Sequence, residues 1–269
     1  MKTPKGLAKR LHKRYTGWAM VTGASSGIGK ELALRLADCG YNLIVTGRHK
    51  DRLDDLAAQL QRENGVCALV KDGDLGQKRE VEDLIAFSED YPIGIAVMNA
   101  GFGSSGSFTE ADLSTEISML NLNCQALMML THHFSNKFVS NGGGGIVLIS
   151  SMLGFQGVPF SAHYAATKSY VLSLGEALTV ELKPKGVDVL TVTPGPVRTG
   201  FFARAGMLVD IAMPVSKIGV SILKSLGRQE RILPGMLAKI LVYSLRMLPR
   251  WIKVRIMGSV MRRMSKSER

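Results

Sequence analysis

Tyr164 stands four residues before Lys168 in the stretch YAATKSYVLSLGEAL, whose apolar spacing is that of an amphipathic helix. On a helix, residues four apart lie one above the other on the same face. A free phenol, with a pKa of about 10, is a poor acid or base near neutrality. A cation held close favours the phenolate and brings the group toward the working range of a general acid/base. The same spacing also arises on any solvated helix surface, so the pair needs company before it means chemistry. Ser151, the second serine of LISSM, ends an apolar run thirteen residues before Tyr164 and can meet it above a sheet edge.

A second set of residues has the chemistry of a nucleotide site. TGASSGIG, Thr22 to Gly29, follows a β-rich run and opens a helical one. Its glycines, Gly23, Gly27 and Gly29, depart from the usual G-x-G-x-x-G but can do the same work: they let backbone approach a pyrophosphate that the helix N-terminus stabilises. Ser25, Ser26 and Ile28 belong to the same turn. An NAD site wants Asp or Glu at the end of the next strand, to accept from the ribose 2′-hydroxyl. This chain instead has VTGRHK, with Arg48 and Lys50 and no acid, which favours a 2′-phosphate and hence NADP(H). Asp74 with Leu75, then Asn99, Ala100 and Gly101, then Pro194, Gly195, Val197 and Thr199 fall after later strand candidates, where a cofactor on the strand C-termini would meet them.

The elements that must position these groups alternate. Strand-like runs at Trp18 to Thr22, Asn42 to Thr46, Cys67 to Val70, Ile95 to Met98, Ile146 to Ser150 and Val187 to Val192 are separated by helix-period segments. The helices are expected at Ile28 to Asp38, Asp51 to Arg62, Gly76 to Ser88, Asp112 to Val139 and His163 to Lys183. Such alternation is the pattern of βαβ units around a parallel sheet covered on both faces. A last short strand is expected at Glu230 to Leu233, and the glycines after Asn141 read as a surface turn leading into the fifth strand. The organisation is a basic leader over 1–16, one α/β domain over 17–233 and a basic, apolar helical extension over 234–269. Leu7, Leu11 and Tyr15 predict a short helix in the leader.

The 269 residues, 46% of them hydrophobic, suffice for one such domain. Three unclustered cysteines suggest a reducing, cytoplasmic setting with neither a disulfide framework nor a cysteine zinc site. His132 and His133 are adjacent and point apart on a helix, His163 reads as a helix-start residue, and no metal site is expected. The net charge of +12 is uneven: +7 over residues 1–30, −6 over 31–216 and +11 over 217–269. The basic ends are interleaved with aliphatic residues and Met rather than stacking aromatics, which points away from nucleic acid and toward an anionic membrane surface. No run reaches the roughly 18 apolar residues of a spanning helix, and the N-terminus has no apolar core of a signal peptide.

Taken together, these motifs resemble the short-chain dehydrogenase/reductase family. Thr22, Gly23, Gly27, Gly29, Asp74, Asn99 to Gly101, Ser151, Tyr164, Lys168, Pro194 and Gly195 carry the likeness, in family order, from about Thr22 to Thr199. The resemblance implies a doubly wound Rossmann fold with a parallel sheet of about seven strands. It also implies a catalytic set. Tyr164 would protonate a carbonyl oxygen or take an alcohol proton, Ser151 would hold that oxygen, and Lys168 would lower the tyrosine pKa and bond the nicotinamide ribose. Asn123 would complete the set, with Asn121 as the alternative. The implied activity is NADP(H)-dependent reduction of a ketone or aldehyde, or oxidation of the corresponding alcohol; the alternative is an NADPH-binding regulator with little turnover. Dimers or tetramers through the long helices are a further implication.

Phe201, Phe202, Met207, Leu208, Ile211 and Met213, with Phe155, Val158 and Phe160 before the tyrosine, suggest either an apolar cover for a lipophilic carbonyl, such as a 3-oxoacyl, steroid or retinoid group, or core and dimer contacts. The tail has a weaker likeness to the extension of a subgroup related to 3-oxoacyl reductases and hydroxysteroid dehydrogenases. Its Arg250, Lys253, Arg255, Arg262 and Arg263 among Trp251, Ile252, Ile256, Val260 and Met261 suit a membrane-interface helix, or a helix packed on its own domain or a partner subunit.

Overall fold

The computed structural model describes residues 3–207, 212–245 and 247–264. Seven parallel strands form one sheet: β1 (Trp18–Thr22), β2 (Leu43–Gly47), β3 (Ala68–Asp72), β4 (Ile93–Met98), β5 (Gly144–Ile149), β6 (Val187–Val192) and β9 (Arg231–Ile232). Their order is β3-β2-β1-β4-β5-β6-β9, so the chain leaves β1 in one direction to β2 and in the other to β4. That reversal makes a crevice at the C-terminal ends of β1 and β4, where open α/β sheets bind ligands.

Alternate residues of the central strands feed two cores. Val21, Val45, Val97 and Val147 join Leu32, Leu36, Leu53 and Leu56 of α2 (Gly27–Asp38) and α3 (Lys50–Asn64) on one face. Met20, Ile44, Ala96 and Ile146 join Leu84 of α4 (Lys78–Glu89) and Phe134 and Phe138 on the other. With both faces covered, the strands are apolar throughout rather than alternating, which is why they stand out in the sequence.

The leader contributes α1 (Lys5–Arg14), and Leu7, Leu11 and Tyr15 are buried in the first of these cores. Two of its cations tie it to the domain. Arg10 donates to the Leu223 and Leu226 carbonyls at the end of α9 (Gly219–Ser225), satisfying groups that a helix terminus leaves open. Arg14 pairs with Asp188 at the start of β6.

Two expectations change. The helix expected over Asp112 to Val139 is α5 (Leu113–Leu120), a π-helical turn at Asn121–Ala126, and then α6 (Leu127–Ser140). A π turn carries one residue more than an α turn, and a 3.6-residue apolar count does not reveal it. The glycines after Asn141 are also more than a surface turn, since Gly144 and Gly145 open β5. A side chain at Gly144 would fall 2.2 Å from the Phe138 ring, which leaves no room for one.

After β6 come β7 (Val197–Arg198), α8 (Phe201–Arg204) and β8 (Met213–Pro214), and the last described elements are α10 (Met236–Ser244) and α11 (Arg250–Met264). Met257 and Met261 of α11 pack on Val158, Ala165, Ala205 and Met207, closing a third, smaller core beside the crevice.

Candidate active site

The turn after β1 is built for close approach. Gly23 has φ +66°, a region that other residues rarely adopt, and a side chain there would press on the Ala100 backbone at 2.9 Å. Gly29, inside α2, lies so close that a side chain would sit 2.3 Å from the Gly23 carbonyl oxygen. Thr22 and Asn99 lock this turn to the end of β4. The Thr22 hydroxyl accepts from the Asn99 and Ala100 backbone N–H groups at 2.9 and 3.0 Å, and the Asn99 amide donates to the Thr22 and Gly23 carbonyls. Backbone and the N-terminus of α2 thus line a concavity suited to a pyrophosphate.

Ser151 follows β5 and Tyr164 lies in the first turn of α7 (Ala162–Leu182). The Ser151 side chain is close enough to Tyr164 to lower its pKa, and the Ser151 oxygen accepts from the Leu153 N–H at 3.2 Å. Lys168, one turn along α7, is buried; its ammonium donates to the Ile149 carbonyl at 3.0 Å and lies 5.8 Å from the Tyr164 ring centroid. The Ser150 hydroxyl donates to the Lys168 carbonyl at 2.7 Å, tying α7 to the end of β5.

Burial pulls the two groups apart in pKa. It pushes the Tyr164 phenol up to about 12, with the Ser151 hydrogen bond pulling the other way. It brings the Lys168 ammonium down to about 8, opposed by the nearby Cys124 sulfur. Removal from water disfavours the charged form of each, phenolate in one case and ammonium in the other.

Asn123 lies in the π turn and is fully buried. Its amide oxygen accepts from the Phe102 N–H at 3.1 Å, while its NH2 donates to the Phe102 carbonyl and the Thr167 hydroxyl. Its side chain therefore holds the loop after β4 against α7, and it is Asn121 that faces the crevice.

One cleft of about 1620 Å³ connects these parts. Gly23, Ser25, Ser26, Gly27, Ile28, Arg48, Asp74, Leu75, Asn99, Ala100, Gly101, Ser151, Tyr164, Lys168, Pro194, Gly195, Val197 and Thr199 all border it. Gly29 and Asn123 do not: behind the wall, Gly29 lies against the Gly23 carbonyl and Asn123 is hydrogen-bonded to Phe102 and Thr167. Lys50 points away, to Asp54 at 2.8 Å, and Arg52, one helical turn beyond Arg48, borders the cleft with it. The sequence signal for Arg52 was present, a cation close after a strand end lacking acid, but only the start of α3 places it, still exposed, at the cleft border.

Of the apolar residues expected to cover a substrate, Phe155, Phe201, Phe202 and Met207 line the cleft. Val158 and Phe160 pack behind, in the third core, and Met213 pairs with Val197 across β7 and β8. Leu208 and Ile211 lie outside the described residues. Met257, Met261 and Met264 of α11 add a further wall; Met261, read in the sequence as part of an interface helix or of one packed on its own domain, is buried on the domain. Gln156, buried and also bordering the cleft, is a polar residue that the sequence did not single out.

His133 pairs with Glu89, His132 meets Asn136, and His163 contacts the Glu116 carbonyl. Among the described residues no three His, Cys, Asp or Glu side chains gather as a metal would require.

The family model described as short chain dehydrogenase matches residues 17–207. The chain belongs to this family. A 7beta-hydroxysteroid dehydrogenase of Clostridium sardiniense is 31% identical over 189 residues, 70% of this chain and 72% of that protein. A very-long-chain 3-oxoacyl-CoA reductase of Pyrenophora tritici-repentis is 34% identical over 188 residues, 68% of this chain and 55% of the relative. Among solved structures, a short-chain dehydrogenase from Sphingobium yanoikuyae in complex with NADPH has 34% identity and a TM-score of 0.79. That match covers 85% of this chain and 91% of the other. The Rossmann sheet and the order of motifs along it are therefore those of the short-chain dehydrogenases.

Proposed function

We propose that the protein is an NADP(H)-dependent oxidoreductase that interconverts a lipophilic ketone or aldehyde and its alcohol. The observation that carries this reading is the meeting of Ser151, Tyr164 and Lys168 in one cleft with a backbone cradle fit for a pyrophosphate. The cation-lined, acid-free end of β2 supports the phosphorylated cofactor, since Arg48 and Arg52 suit a 2′-phosphate. The NADPH held by the Sphingobium relative supports the same choice.

When bound, the dihydronicotinamide supplies a hydride to the carbonyl carbon. Negative charge then grows on the carbonyl oxygen, which needs a preorganised donor and a proton. The Ser151 hydroxyl holds that oxygen, and Tyr164, kept protonated by burial, gives it the proton; in oxidation the roles reverse. Lys168 favours the phenolate by its charge and has donors left for a ribose hydroxyl beyond the one spent on Ile149. The apolar wall of Phe155, Phe201, Phe202 and Met207 supports a lipophilic substrate, as do the steroid and 3-oxoacyl relatives.

The free cysteines support a reducing, cytoplasmic setting. Exposed Leu113, Ile117 and Leu120 on α5 and Tyr170 and Val180 on α7 support self-association across that face.

The test is oxidation of NADPH and NADH by purified protein against 3-oxoacyl, steroid, retinal and small-ketone substrates, with Tyr164→Phe alongside. Turnover with NADPH that disappears in the variant upholds the reading. Tight NADPH binding with no turnover of any carbonyl would favour a cofactor-binding regulator instead.

A further inference from the structure

We infer that α10 and α11 form a docking surface for an anionic membrane and that the substrate cleft opens at this surface. Residues 234–264 contain seven Lys or Arg and no Asp or Glu. Large apolar side chains are exposed through this same segment: Ile240 (59%), Tyr243 (58%), Met247 (90%) and Trp251 (60%) follow one another at intervals of three and four residues. Exposed apolar residues beside cations, with Tyr and Trp among them, match the chemistry of a headgroup boundary, where rings bury their bodies and cations meet lipid phosphates. The guanidinium of Arg255 lies 5.0 Å from the Trp251 ring, so cation and aromatic share one patch.

The inner side of α11 is different. Met257 and Met261 are buried and border the cleft, fixing the helix to the domain. Between inside and outside stand Tyr243, Ile256 and Val260, which are exposed and also border the cleft. These three put apolar side chains, with Lys253 between them, at the border of the cleft beside the exposed patch. A lipophilic molecule can then pass from bilayer to cleft without crossing water. This second part rests on the proposed reductase function; the docking surface does not.

The basic leader is a weaker candidate for the same role, because Arg10 and Arg14 are spent on α9 and Asp188. Charge complementarity also favours a membrane over a second copy of this chain, whose matching patch would bring cations against cations.

The experiment floats the full-length protein with vesicles of phosphatidylcholine alone or with about one-third phosphatidylglycerol, at low and high salt. In a Trp18→Phe background Trp251 is the sole tryptophan. Its emission should shift to the blue on anionic vesicles and be quenched by brominated acyl chains. Met247→Glu with Trp251→Glu should lower the bound fraction at least about tenfold, and Arg250→Gln with Arg263→Gln should weaken binding and its salt dependence. Neither pair borders the cleft, so turnover of a small water-soluble ketone should persist. Absence of binding to anionic vesicles overturns the inference. If Met247→Glu instead dissolves a dimer in light scattering, the face belongs to a second copy. Vesicle binding without carbonyl turnover would remove the reductase reading and leave the docking surface standing.

Discussion

The Lys168 ammonium lies 5.8 Å from the centre of the Tyr164 ring and gives its hydrogen bond to the Ile149 carbonyl, 3.0 Å away. The two groups are therefore close without a hydrogen bond between them, and burial, not Lys168, dominates the Tyr164 pKa. Tyr164 is held in its protonated form by burial, ready to donate, while Lys168 is close to losing the charge that would stabilise the phenolate.

That imbalance predicts a pH profile. A lysine whose pKa has fallen to about 8 is a cation below that pH and neutral above it. Carbonyl reduction should thus be level below about pH 8 and decline above it, before the Tyr164 proton near 12 matters. Lys168→Arg keeps its charge past pH 12 and should lose the alkaline decline while running more slowly. Rate profiles of the two proteins from pH 6 to 10 decide it, and a wild-type profile level to pH 10 would refute the assignment.

Removing Tyr164 and removing Ser151 should have different consequences. On the proposed mechanism Tyr164→Phe deletes the proton donor, with an expected loss in kcat of about 10²–10⁴. Ser151→Ala deletes one hydrogen bond to the developing oxyanion, an expected loss of about 10²–10³, and leaves the proton donor in place. Cofactor affinity, measured by NADPH fluorescence titration, should change little in Ser151→Ala.

The fold was legible because both faces of the sheet are covered. Six apolar runs with helical spacers can hardly be read otherwise, and the short β9 was visible through the Pro234 and Gly235 that follow it. The candidate site was legible where residue type suggests the chemistry, as at Tyr164, Lys168 and Arg48, which border one cleft. It was obscure where geometry decides. Nothing in the types of Asn121 and Asn123 says which faces the cleft; the π turn between α5 and α6 does. Arg10 and Arg14 count as basic residues in a composition, yet their partners lie more than 170 positions away in α9 and β6. The methionines of α11 read as tail until the third core places them against the cleft.

Arg48 should set the choice between cofactors. It is exposed at the end of β2, borders the cleft, and faces no carboxylate that the sequence places at that strand end. A charge-assisted bond to phosphate contributes about 1.5–3 kcal/mol, or roughly ten- to more than a hundredfold in affinity. Arg48→Ala should raise the KM for NADPH by that factor and leave NADH nearly unchanged, with a larger effect when Arg52→Ala is added. Equal losses for both cofactors would show that Arg48 supports the loop rather than reading the 2′-phosphate.

Tyr15 links the leader to the stability of the whole domain at alkaline pH. Its hydroxyl donates to Asp188 at 2.6 Å, and burial together with that hydrogen bond raises its pKa far above the ordinary value. The unfolded phenol releases its proton near pH 10 while the folded one retains it. Between those values the native state binds more protons, so its stability, complete below pH 10, declines as pH rises. Burial raises Tyr41 in the same sense, and its hydroxyl donates to the Tyr15 carbonyl at 2.7 Å. Tyr15→Phe should cost about 1–2 kcal/mol at pH 7 through the lost bond to Asp188, whose pairing with Arg14 remains. It should also make the decline above pH 10 shallower. Urea unfolding at pH 7, 9 and 10.5 measures both effects, and an unchanged alkaline slope would place the titration elsewhere.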